Sequence, residues 1–341
     1  MELLEVDLPK KVIIGDKALE KIGSLCKELG LKGSVTVFTE KNILEVVGKE
    51  ILEILKSYDY VVDVRFLPKK IEMNDIANIN SNFTIGFGGG RTIDTAKMAA
   101  KENDIPFISV PTAISHDGIA SNRAVLEIYS VPAVMPTGIL VDSDIIIKSP
   151  YRLIASGFGD MVAKLTAIED WELSHEQTGE YISEYAAALN RTAADLVISS
   201  ARSIKNLEKK GLKNLIEALV FSGIAVSIAG SSRPASGSEH LFSHALKILY
   251  PEKTSLHGEE CAVGSIVCSY LHNMDWPRII EALKIIGAPT NNEELKIPRD
   301  ILIKALSEAK NIRNDRYTIL DYKDIDEKKA EIAAKETGVI K

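Results

Sequence analysis

The sequence predicts an α/β domain with a parallel, Rossmann-like sheet, followed by an all-α domain. In this chain of 341 residues, short apolar runs alternate with amphipathic runs of helical length up to about residue 150, a pattern typical of right-handed β-α-β units. Three consecutive glycines, Gly88–Gly90, separate one apolar run from the next amphipathic run. Strand-like runs disappear after Pro150. Because chains of this length usually divide, we predict domains at residues 1–150 and 151–341.

The elements of the first domain follow from periodicity and turn residues. Two apolar segments, Leu3–Val6 and Val12–Ile14, are interpreted as a hairpin-like edge. Asp16 is a suitable N-cap for a helix to about Leu29, which Gly30 and Gly33 would end. The remaining predicted strands are 35–38, 60–66, 83–87, 107–110, 124–128 and 138–141, with helices at 42–56, at 74–79 and directly after the glycines.

The glycine triplet predicts a strand–turn–helix junction that binds a phosphate. Glycine permits positive φ and leaves room for a ligand to approach the backbone. The next helix would offer unpaired N–H groups and the positive end of its dipole, with Asp94 and Lys97 on its first turns. Since the spacing differs from the G-x-G-x-x-G fingerprint, the motif does not say whose phosphate is bound, and a turn that binds nothing stays open.

A loop rich in hydroxyl groups, Pro111–Asn122, follows the strand at 107–110. It leaves the carboxyl end of a presumed parallel strand, where ligands bind in open α/β sheets. We therefore expect the loop to contact a ligand, although a solvated polar loop is the alternative. His116 lies within it and is a weaker ligand-contact candidate.

After Pro150 the chain predicts consecutive helices without intervening strands. Their predicted ranges are 160–174, 182–209, 212–229, 238–250, 257–272, 277–286, 299–309 and 325–336.

Composition narrows the class of protein. With 45% apolar and 26% charged residues, the chain is typical of soluble globular proteins, and its net charge of −7 argues against a nucleic-acid partner. No apolar run reaches the roughly 18 residues that span a bilayer, and the N-terminus lacks a signal-peptide pattern, so we expect a cytoplasmic protein without membrane insertion. Cys26, Cys261 and Cys268 lack paired spacing, and we expect Cys261 and Cys268 to be core thiols.

Three histidines and one acid are candidate metal ligands. His240 and His244 lie one turn apart on one predicted helix, His257 begins the next, and Asp160 begins the first helix of the second domain. One carboxylate and two imidazoles leave an open coordination position, as catalytic Zn²⁺ requires. The residues alone leave two arrangements open. His240 and His244 could chelate together, or His240 and His257 could bridge two helices and leave His244 for a substrate.

At two levels, these motifs resemble a known family. The chain resembles the iron-containing alcohol dehydrogenase and dehydroquinate synthase-like superfamily at these positions: Gly88-Gly89-Gly90, Asp94, Lys97, Pro111-Thr112, Gly159-Asp160 and His257-Gly258-Glu259. Within that superfamily, the runs Gly230–His240 and Ser115–Gly118 resemble the archaeal sn-glycerol-1-phosphate dehydrogenases. The resemblance extends over nearly the whole chain and implies the dehydroquinate synthase-like fold.

The resemblance also implies an activity and a set of site residues. The enzyme would reduce dihydroxyacetone phosphate with NADH or NADPH at a Zn²⁺ site, making sn-glycerol 1-phosphate for archaeal membrane phospholipids. Asp160, His240 and His257 would be the metal ligands and catalytic through the metal, while His244, Asp117 and Asp160 would contact the substrate. The implied cofactor-binding residues are Gly88, Gly89, Gly90, Arg91, Thr92, Ile93, Asp94, Thr112, Ala113, Ile114, Ser115 and Ser121.

Two further assignments concern the substrate phosphate and the choice of cofactor. The phosphate needs a cationic pocket, for which Lys164 and Arg233 are the candidates, and His244 or water on the metal could donate the proton. Glu40 and Lys41 follow the strand at 35–38, where the adenosine ribose is expected. An acid there favours NADH and a lysine tolerates the 2′-phosphate. We expect both cofactors to work, with NADPH somewhat preferred.

Other functions remain possible at this stage. A dehydroquinate synthase-like lyase would also bind NAD and a metal, but it would release phosphate without net cofactor turnover. A glycerol dehydrogenase-like enzyme would act on an unphosphorylated substrate. A nucleotide-binding protein without catalysis would oxidise no NAD(P)H with any small ketone. For the enzyme, a homo-oligomer is expected.

Overall fold

The computed structural model describes residues 5–68, 70–126, 129–253 and 255–341. Two compact units divide the chain, the first ending at Tyr151 and the second extending from Arg152 to Lys341.

A six-stranded parallel sheet in the order β1-β8-β5-β4-β2-β3 forms the first unit, and a separate antiparallel pair, β6 and β7, accompanies it. The strands are β1 Lys11–Gly15, β2 Ser34–Thr39, β3 Val61–Phe66, β4 Phe83–Gly88, β5 Phe107–Pro111, β6 Arg123–Leu126, β7 Tyr129–Pro132 and β8 Gly138–Asp142. Every residue of β4 and β5 is buried, as expected for strands covered on both faces. The prediction of a parallel sheet is confirmed.

The two faces of this sheet bury different apolar clusters. Val35 and Val37 of β2 belong to one cluster, whereas Phe38 belongs to the other. Likewise Ile108 of β5 packs in the first cluster and Phe107 in the second. Since successive side chains of a strand point to opposite faces, the alternation fixes the register of the strands and therefore the positions of the loops at their ends.

Short helices connect the strands of the first unit. They are α1 Ile22–Glu28, α2 Lys41–Val47, α3 Glu50–Ser57, α4 Met73–Ile76, α5 Gly90–Glu102 and α6 Ser143–Ile146, with 3₁₀ turns at Ala18–Lys21 and Asp117–Ile119. The single helix predicted at 42–56 is two helices, because Gly48 at φ 129° interrupts it.

Two predictions near the N-terminus differ from the structure. Asp16 does not cap the first helix: its carboxylate accepts a hydrogen bond from Ser143, and Asp142 Oδ2 accepts the Leu19 N–H instead. The hairpin-like edge is confirmed only in part: β1, which contains Val12–Ile14, is an edge strand of the sheet, but it pairs in parallel with β8. Residues 1–4 and 127–128, which include parts of the predicted strands Leu3–Val6 and 124–128, lie outside the described residues.

The second unit contains helices and no strand among its described residues, as predicted. The helices are α7 Tyr151–Thr178, α8 Glu184–Ser199, α9 Ala201–Lys205, α10 Lys209–Ala229, α11 Ser238–Leu249, α12 His257–Leu271, α13 Trp276–Ile286, α14 Asn292–Leu295, α15 Arg299–Glu308, α16 Ile319–Tyr322 and α17 Glu327–Glu336, with 3₁₀ turns at Arg233–Ala235, Pro251–Lys253 and Ala309–Asn311.

Helix α10 is long and apolar enough to cross a bilayer by length and composition, with a mean hydropathy of 1.6 over 18 residues. This differs from the prediction that no apolar run is long enough to span a bilayer. Of that window, 67% is buried inside the protein, and Ala225 and Ala229 pack with Trp171 in an apolar cluster of the second unit. This burial is what a core helix of a globular unit shows.

Candidate active site

The glycine turn joins β4 to α5 and leaves open space beside the backbone. Contrary to expectation, Gly88, Gly89 and Gly90 do not adopt positive φ; Gly89 is extended, at φ −76° and ψ −176°. Close packing explains Gly88 and Gly90 instead, because neighbouring side chains occupy the place of a Cβ. A Cβ on Gly88 would lie 2.5 Å from Thr92 Oγ1, and one on Gly90 would lie 2.1 Å from His116 Nε2. A Cβ on Gly89 would meet no atom of the described residues within 4 Å.

The hydroxyl-rich loop begins directly beside this turn. Gly88 pairs with Pro111 across β4 and β5, and the Thr112 N–H donates to Gly88 O at 2.9 Å. His116 accepts the Gly118 N–H through Nδ1 at 3.1 Å, and its Nε2 lies against Gly90. The turn and the loop therefore form one surface at the carboxyl ends of two neighbouring strands, where α5 offers its N-terminal N–H groups. Such a surface fits a pyrophosphate.

Several of the predicted cofactor contacts have internal partners. The Asp94 carboxylate accepts the Val125 N–H at 3.0 Å and lies 3.7 Å from Lys97 Nζ. Lys97 in turn donates to the carbonyls of Gly118 and Arg123 at 2.7 and 2.6 Å. Burial raises the pKa of Asp94 and lowers that of Lys97, and each partly compensates the other. This pair fastens the loop and β6 to α5.

The other predicted contacts in this unit differ in what they offer a ligand. Ser121 Oγ bonds the backbone of Arg123, and the Arg91 guanidinium donates to Pro68 O. Ile93, Ala113 and Ile114 are buried apolar residues, whereas Ser115 is partly exposed and Asp117 begins the 3₁₀ turn of the loop.

Glu40 and Lys41 point to different neighbours. Thr92 Oγ1 donates to Glu40 Oε1 at 3.4 Å, which places the acid beside the glycine turn. The ammonium of Lys41 lies 5.8 Å from the ring centroid of Phe66. Of the two, the structure brings Glu40 to the turn.

Helices α7 and α12 of the second unit approach each other closely where two glycines meet. A Cβ on Gly159 would lie 2.3 Å from Gly258 O, and one on Gly258 would lie 1.9 Å from Ser156 O. This contact explains why glycine precedes Asp160 and follows His257. The prediction that α7 starts at Asp160 is therefore wrong. Asp160 lies inside a 28-residue helix, and the glycine before it serves helix packing and does not mark a helix start.

Asp160, His240 and His257 come together on α7, α11 and α12. Asp160 is fully buried, and its Oδ1 lies 3.6 Å from His240 Nε2. The ring centroids of His240 and His257 are 4.8 Å apart. In a tetrahedral site with bonds of about 2.1 Å, neighbouring donor atoms are about 3.4 Å apart, so the separation of Asp160 and His240 is that of two ligands to one ion.

A buried carboxylate orients the first imidazole. His240 Nδ1 lies 2.7 Å from Glu239 Oε1, which also accepts the Gly237 N–H at 2.7 Å. The other oxygen of Glu239 accepts from Thr166 Oγ1 at 2.7 Å. With Nδ1–H donating to this fixed carboxylate, His240 presents Nε2 as its metal-binding nitrogen.

A hydroxyl and a second carboxylate orient the other imidazole. Ser243 Oγ lies 3.1 Å from His257 Nδ1 and donates to Glu260 Oε2 at 2.6 Å. The other oxygen of Glu260 accepts the Ser255 N–H at 2.8 Å, and burial raises the pKa of Glu260 to about 7. Ser243 Oγ, whose proton goes to Glu260, can accept from His257 Nδ1–H, and that tautomer would keep Nε2 for an ion.

Cys261 also belongs to this cluster. Its sulfur lies 3.7 Å from both nitrogens of His257, and the ligand atoms of His240, His257 and Cys261 all lie within 4.8 Å of one another. Burial raises the pKa of the Cys261 thiol. The sequence analysis expected a core thiol here. The thiol is buried and free, but it lies among candidate ligands, as its position one turn after His257 could have indicated.

The electrostatics of the cluster favour a charged acid and a neutral His244. Burial raises the pKa of Asp160, but Lys164, His240 and His257 outweigh it and hold that pKa well below its usual range. Burial lowers the pKa of His240, but Cys261, Asp160 and Glu239 together raise it by more than burial lowers it, so the net shift is upward. Burial and neighbouring cations lower the pKa of His244 to about 3, so at neutral pH His244 is not an imidazolium acid.

The two cations predicted for the substrate phosphate are bound to acids of the protein. Lys164 Nζ lies 3.0 Å from Asp160 Oδ1 and donates to Ala235 O at 3.2 Å. The Arg233 guanidinium donates to both carboxylate oxygens of Glu180. It also donates to Tyr317 O and Ser174 Oγ, each at 3.0 Å, and the residue is 2% exposed. Arg233 thus braces the loop before α11, and the structure does not support its predicted contact with substrate.

The donors of the second unit fit a divalent ion. Two imidazoles whose outer nitrogens are held, one ionised carboxylate and a nearby thiol are ligands of the kind that zinc takes. Sequence reasoning missed the residues that orient the imidazoles, Glu239, Ser243 and Glu260. The motif Ser238-Glu239-His240 contains one of them, but nothing in the sequence shows which atoms meet.

Comparison with known proteins gives three findings. Residues 13–150 match the model of the family described as iron-containing alcohol dehydrogenase. The chain is 44% identical to a glycerol-1-phosphate dehydrogenase [NAD(P)+] of Thermococcus sibiricus, with 100% of this chain and 99% of that protein covered, and 46% identical to one of Methanosarcina mazei, covering 92% and 91%. A probable glycerol dehydrogenase of Sinorhizobium meliloti has a similar structure, with a TM-score of 0.80, 21% identity and 98% of both chains covered.

Proposed function

Because this chain belongs to the glycerol-1-phosphate dehydrogenase family among the iron-containing alcohol dehydrogenases, we propose that it reduces dihydroxyacetone phosphate to sn-glycerol 1-phosphate with NADH or NADPH. It is an oxidoreductase. The proposed substrate follows from the names of the relatives. The observation that carries the proposal is the convergence of Asp160, His240 and His257 in the second unit.

We propose Asp160, His240 and His257 as the ligands of a Zn²⁺ ion. His240 Nε2 is the nitrogen left by Glu239, and it is this nitrogen that lies 3.6 Å from Asp160. Cys261 belongs to the same group of candidate ligands and is the alternative to Asp160 as the third donor. A site with one carboxylate and two imidazoles keeps an open position for the substrate, as catalytic zinc sites do.

A bound Zn²⁺ would polarise the C2 carbonyl, and the reduced nicotinamide would supply the hydride. The chain contributes orientation and the exclusion of water. Glu239 and Ser243 fix the imidazoles, and Lys164 balances the charge of buried Asp160. His244, neutral at neutral pH, is suited to hydrogen-bond a hydroxyl or carbonyl group of the substrate. Its low pKa argues against His244 as the acid that protonates the product.

The first unit would hold the dinucleotide at the glycine turn. The open space beside Gly89 and the N-terminus of α5 suit the pyrophosphate. Glu40 beside Thr92 suits the ribose 2′-hydroxyl and disfavours a 2′-phosphate. We propose that both cofactors work and that Glu40 shifts the preference expected from sequence away from NADPH toward NADH. A cytoplasmic homo-oligomer that serves membrane phospholipid synthesis completes the proposal.

The decisive assay follows NAD(P)H oxidation by the purified protein with dihydroxyacetone phosphate and with unphosphorylated dihydroxyacetone. We expect one cofactor oxidised per molecule of sn-glycerol 1-phosphate, a strong preference for the phosphorylated substrate, and loss of activity with a chelator that zinc restores. Preference for the unphosphorylated ketone would indicate a glycerol dehydrogenase. Phosphate release without net oxidation would indicate a lyase, and no oxidation at all would contradict an enzyme of either reductive kind.

A further inference from the structure

A second group of cations lies beside His244. Lys247 follows His244 by three residues on α11, so the two side chains share a helix face, and Lys247 Nζ lies 3.4 Å from His257 Nδ1. Arg313 and Arg316 lie in the segment between α15 and α16. Arg316 is 5% exposed and donates to Ser236 O and, at 2.9 Å, to Ser232 Oγ, both in the run that leads into α11.

Arg316 retains capacity for an anion. Its bonds to Ser236 and Ser232 use two of the five N–H donors of a guanidinium, and the described residues give it no carboxylate within ion-pair distance. Arg313 is paired with Asp315, but that acid is 67% exposed, so water screens the pair and an incoming dianion can compete for the guanidinium.

Arg313 and Arg316 also line a cavity. Its volume is about 400 Å³, and its wall also includes Lys310, Tyr317 and the acids Asp321 and Asp324. Asp321 accepts from the N–H and hydroxyl of Thr318, and Asp324 is paired with Lys310. Pockets for small ligands usually measure about 300–1,000 Å³, so the volume is adequate for a phosphorylated three-carbon compound.

The field of these cations reaches the substrate-contact candidate. Burial first, then the charge of His240, and then those of Lys247, Arg316 and Arg313 lower the pKa of His244. Burial first, and then the charges of Arg313 and Arg233, also lower the pKa of Arg316, to about 9. At neutral pH this leaves positive charge around a neutral imidazole. A bound dianion would relieve the repulsion among these cations.

We propose that Lys247, Arg313 and Arg316 bind the phosphate of the substrate and select phosphorylated over unphosphorylated ketones. The assignment rests on the proposed function, since it presumes a phosphorylated substrate, and it replaces Lys164 and Arg233 in that role. Guanidinium groups bind phosphate through paired hydrogen bonds. The ammonium of Lys247, near His257, adds a third positive charge that attracts the phosphate.

The test compares Arg313→Gln, Arg316→Lys and the control Arg278→Gln, which removes a positive charge from an exposed pair with Asp195. We expect Arg313→Gln to lower kcat/KM for dihydroxyacetone phosphate about 100-fold, the effect of losing hydrogen bonds to a charged group. Arg316→Lys should act in the same direction, because it keeps the charge but loses the fork. For unphosphorylated dihydroxyacetone, kcat/KM should change less than about threefold, and Arg278→Gln should alter neither substrate.

Inorganic phosphate provides an independent probe with the wild-type enzyme. It should compete with dihydroxyacetone phosphate, and Arg313→Gln should weaken that inhibition. Zinc content and circular dichroism of each variant show whether the metal site and fold are intact, and partly exposed Arg313 keeps the test usable if Arg316→Lys does not fold. Wild-type activity on dihydroxyacetone phosphate with an unchanged substrate ratio in folded Arg313→Gln would overturn this inference alone. Absence of that activity in the wild type would overturn the proposed function instead.

Discussion

The glycine turn of the first unit and the histidine cluster of the second are built in opposite ways. At the turn, Gly88 and Gly90 leave room for side chains of their own unit, and Gly89 leaves open space. In the cluster, buried Asp160 and His240 and partly buried His257 carry the chemistry, and each imidazole is held by another polar group. The turn offers shape and backbone N–H groups, whereas the cluster offers charged and polar side chains that are largely buried.

This difference predicts how each region responds to substitution. A side chain added to the turn should weaken binding by occupying space, while the fold and the metal are retained. A single polar atom removed from the cluster leaves a buried partner unsatisfied, at a cost of about 1–3 kcal/mol, and also disturbs the metal.

Removal of a proposed ligand should have the largest effect. His240→Ala should lose zinc and lower kcat/KM about 1,000-fold or more, because charge stabilisation at the reacting carbonyl is lost. Metal analysis of the purified variant measures the first effect and NAD(P)H oxidation the second. His244→Ala is the matched control, since it removes an imidazole from the same helix and should keep zinc. Full zinc retention by His240→Ala would refute the ligand assignment.

Loss of an orienting carboxylate should have a smaller effect on the same site. Glu239→Gln should weaken zinc binding about 10–100-fold, as is typical when the partner of a ligating histidine is changed. Competition with a chromophoric chelator measures this affinity. Glu308→Gln, at a partly exposed carboxylate on α15, should leave it unchanged. Equal zinc affinity of Glu239→Gln and wild type would mean that Glu239 only supports the fold.

A methyl group in the turn should affect the cofactor and spare the metal. Gly89→Ala is expected to raise the Kd of NAD(P)H about tenfold, because backbone approach to the pyrophosphate needs a position without Cβ. Stability should fall by no more than about 1 kcal/mol, the difference between glycine and alanine at an N-cap. Fluorescence titration and thermal unfolding measure the two effects. Unchanged cofactor affinity would place the phosphates away from Gly89.

The smallest effect is expected at Glu40. Glu40→Gln removes the acid beside Thr92 and should shift the ratio of kcat/KM for NADPH over NADH about fivefold toward NADPH, since repulsion of the 2′-phosphate is relieved. Lys41→Gln serves as the control because Lys41 lies over Phe66 and should change the ratio less. A shift toward NADH in Glu40→Gln would contradict the role given to Glu40.

The same contrast explains what the sequence could and could not predict. The parallel sheet follows from apolar runs such as 83–87 and 107–110, which bury both faces and therefore carry a local signal. The region around Gly159 was misjudged because a glycine near an acid suggests a helix start, whereas here it answers a contact with Gly258 about 100 residues away. Such a contact leaves no local periodicity.

Polar partners were the least predictable feature. Arg233 adjoins the motif that contains His240, yet its guanidinium is taken by Glu180, while Arg313 and Arg316 lie in a segment with no evident signal. From the sequence, Cys261 could not be distinguished from a core thiol. In the structure it lies beside the imidazoles of His240 and His257. Sequence neighbours indicate which residues share an element; which atoms meet is decided by packing between distant elements.

The ligand set itself is the central claim, and X-ray absorption spectroscopy of the zinc-loaded protein tests it most directly. We predict scattering from two imidazoles with only nitrogen and oxygen neighbours, at about 2.0–2.2 Å from the zinc. A sulfur neighbour at about 2.3 Å would replace Asp160 with Cys261, and the absence of imidazole scattering would contradict the proposed metal centre altogether.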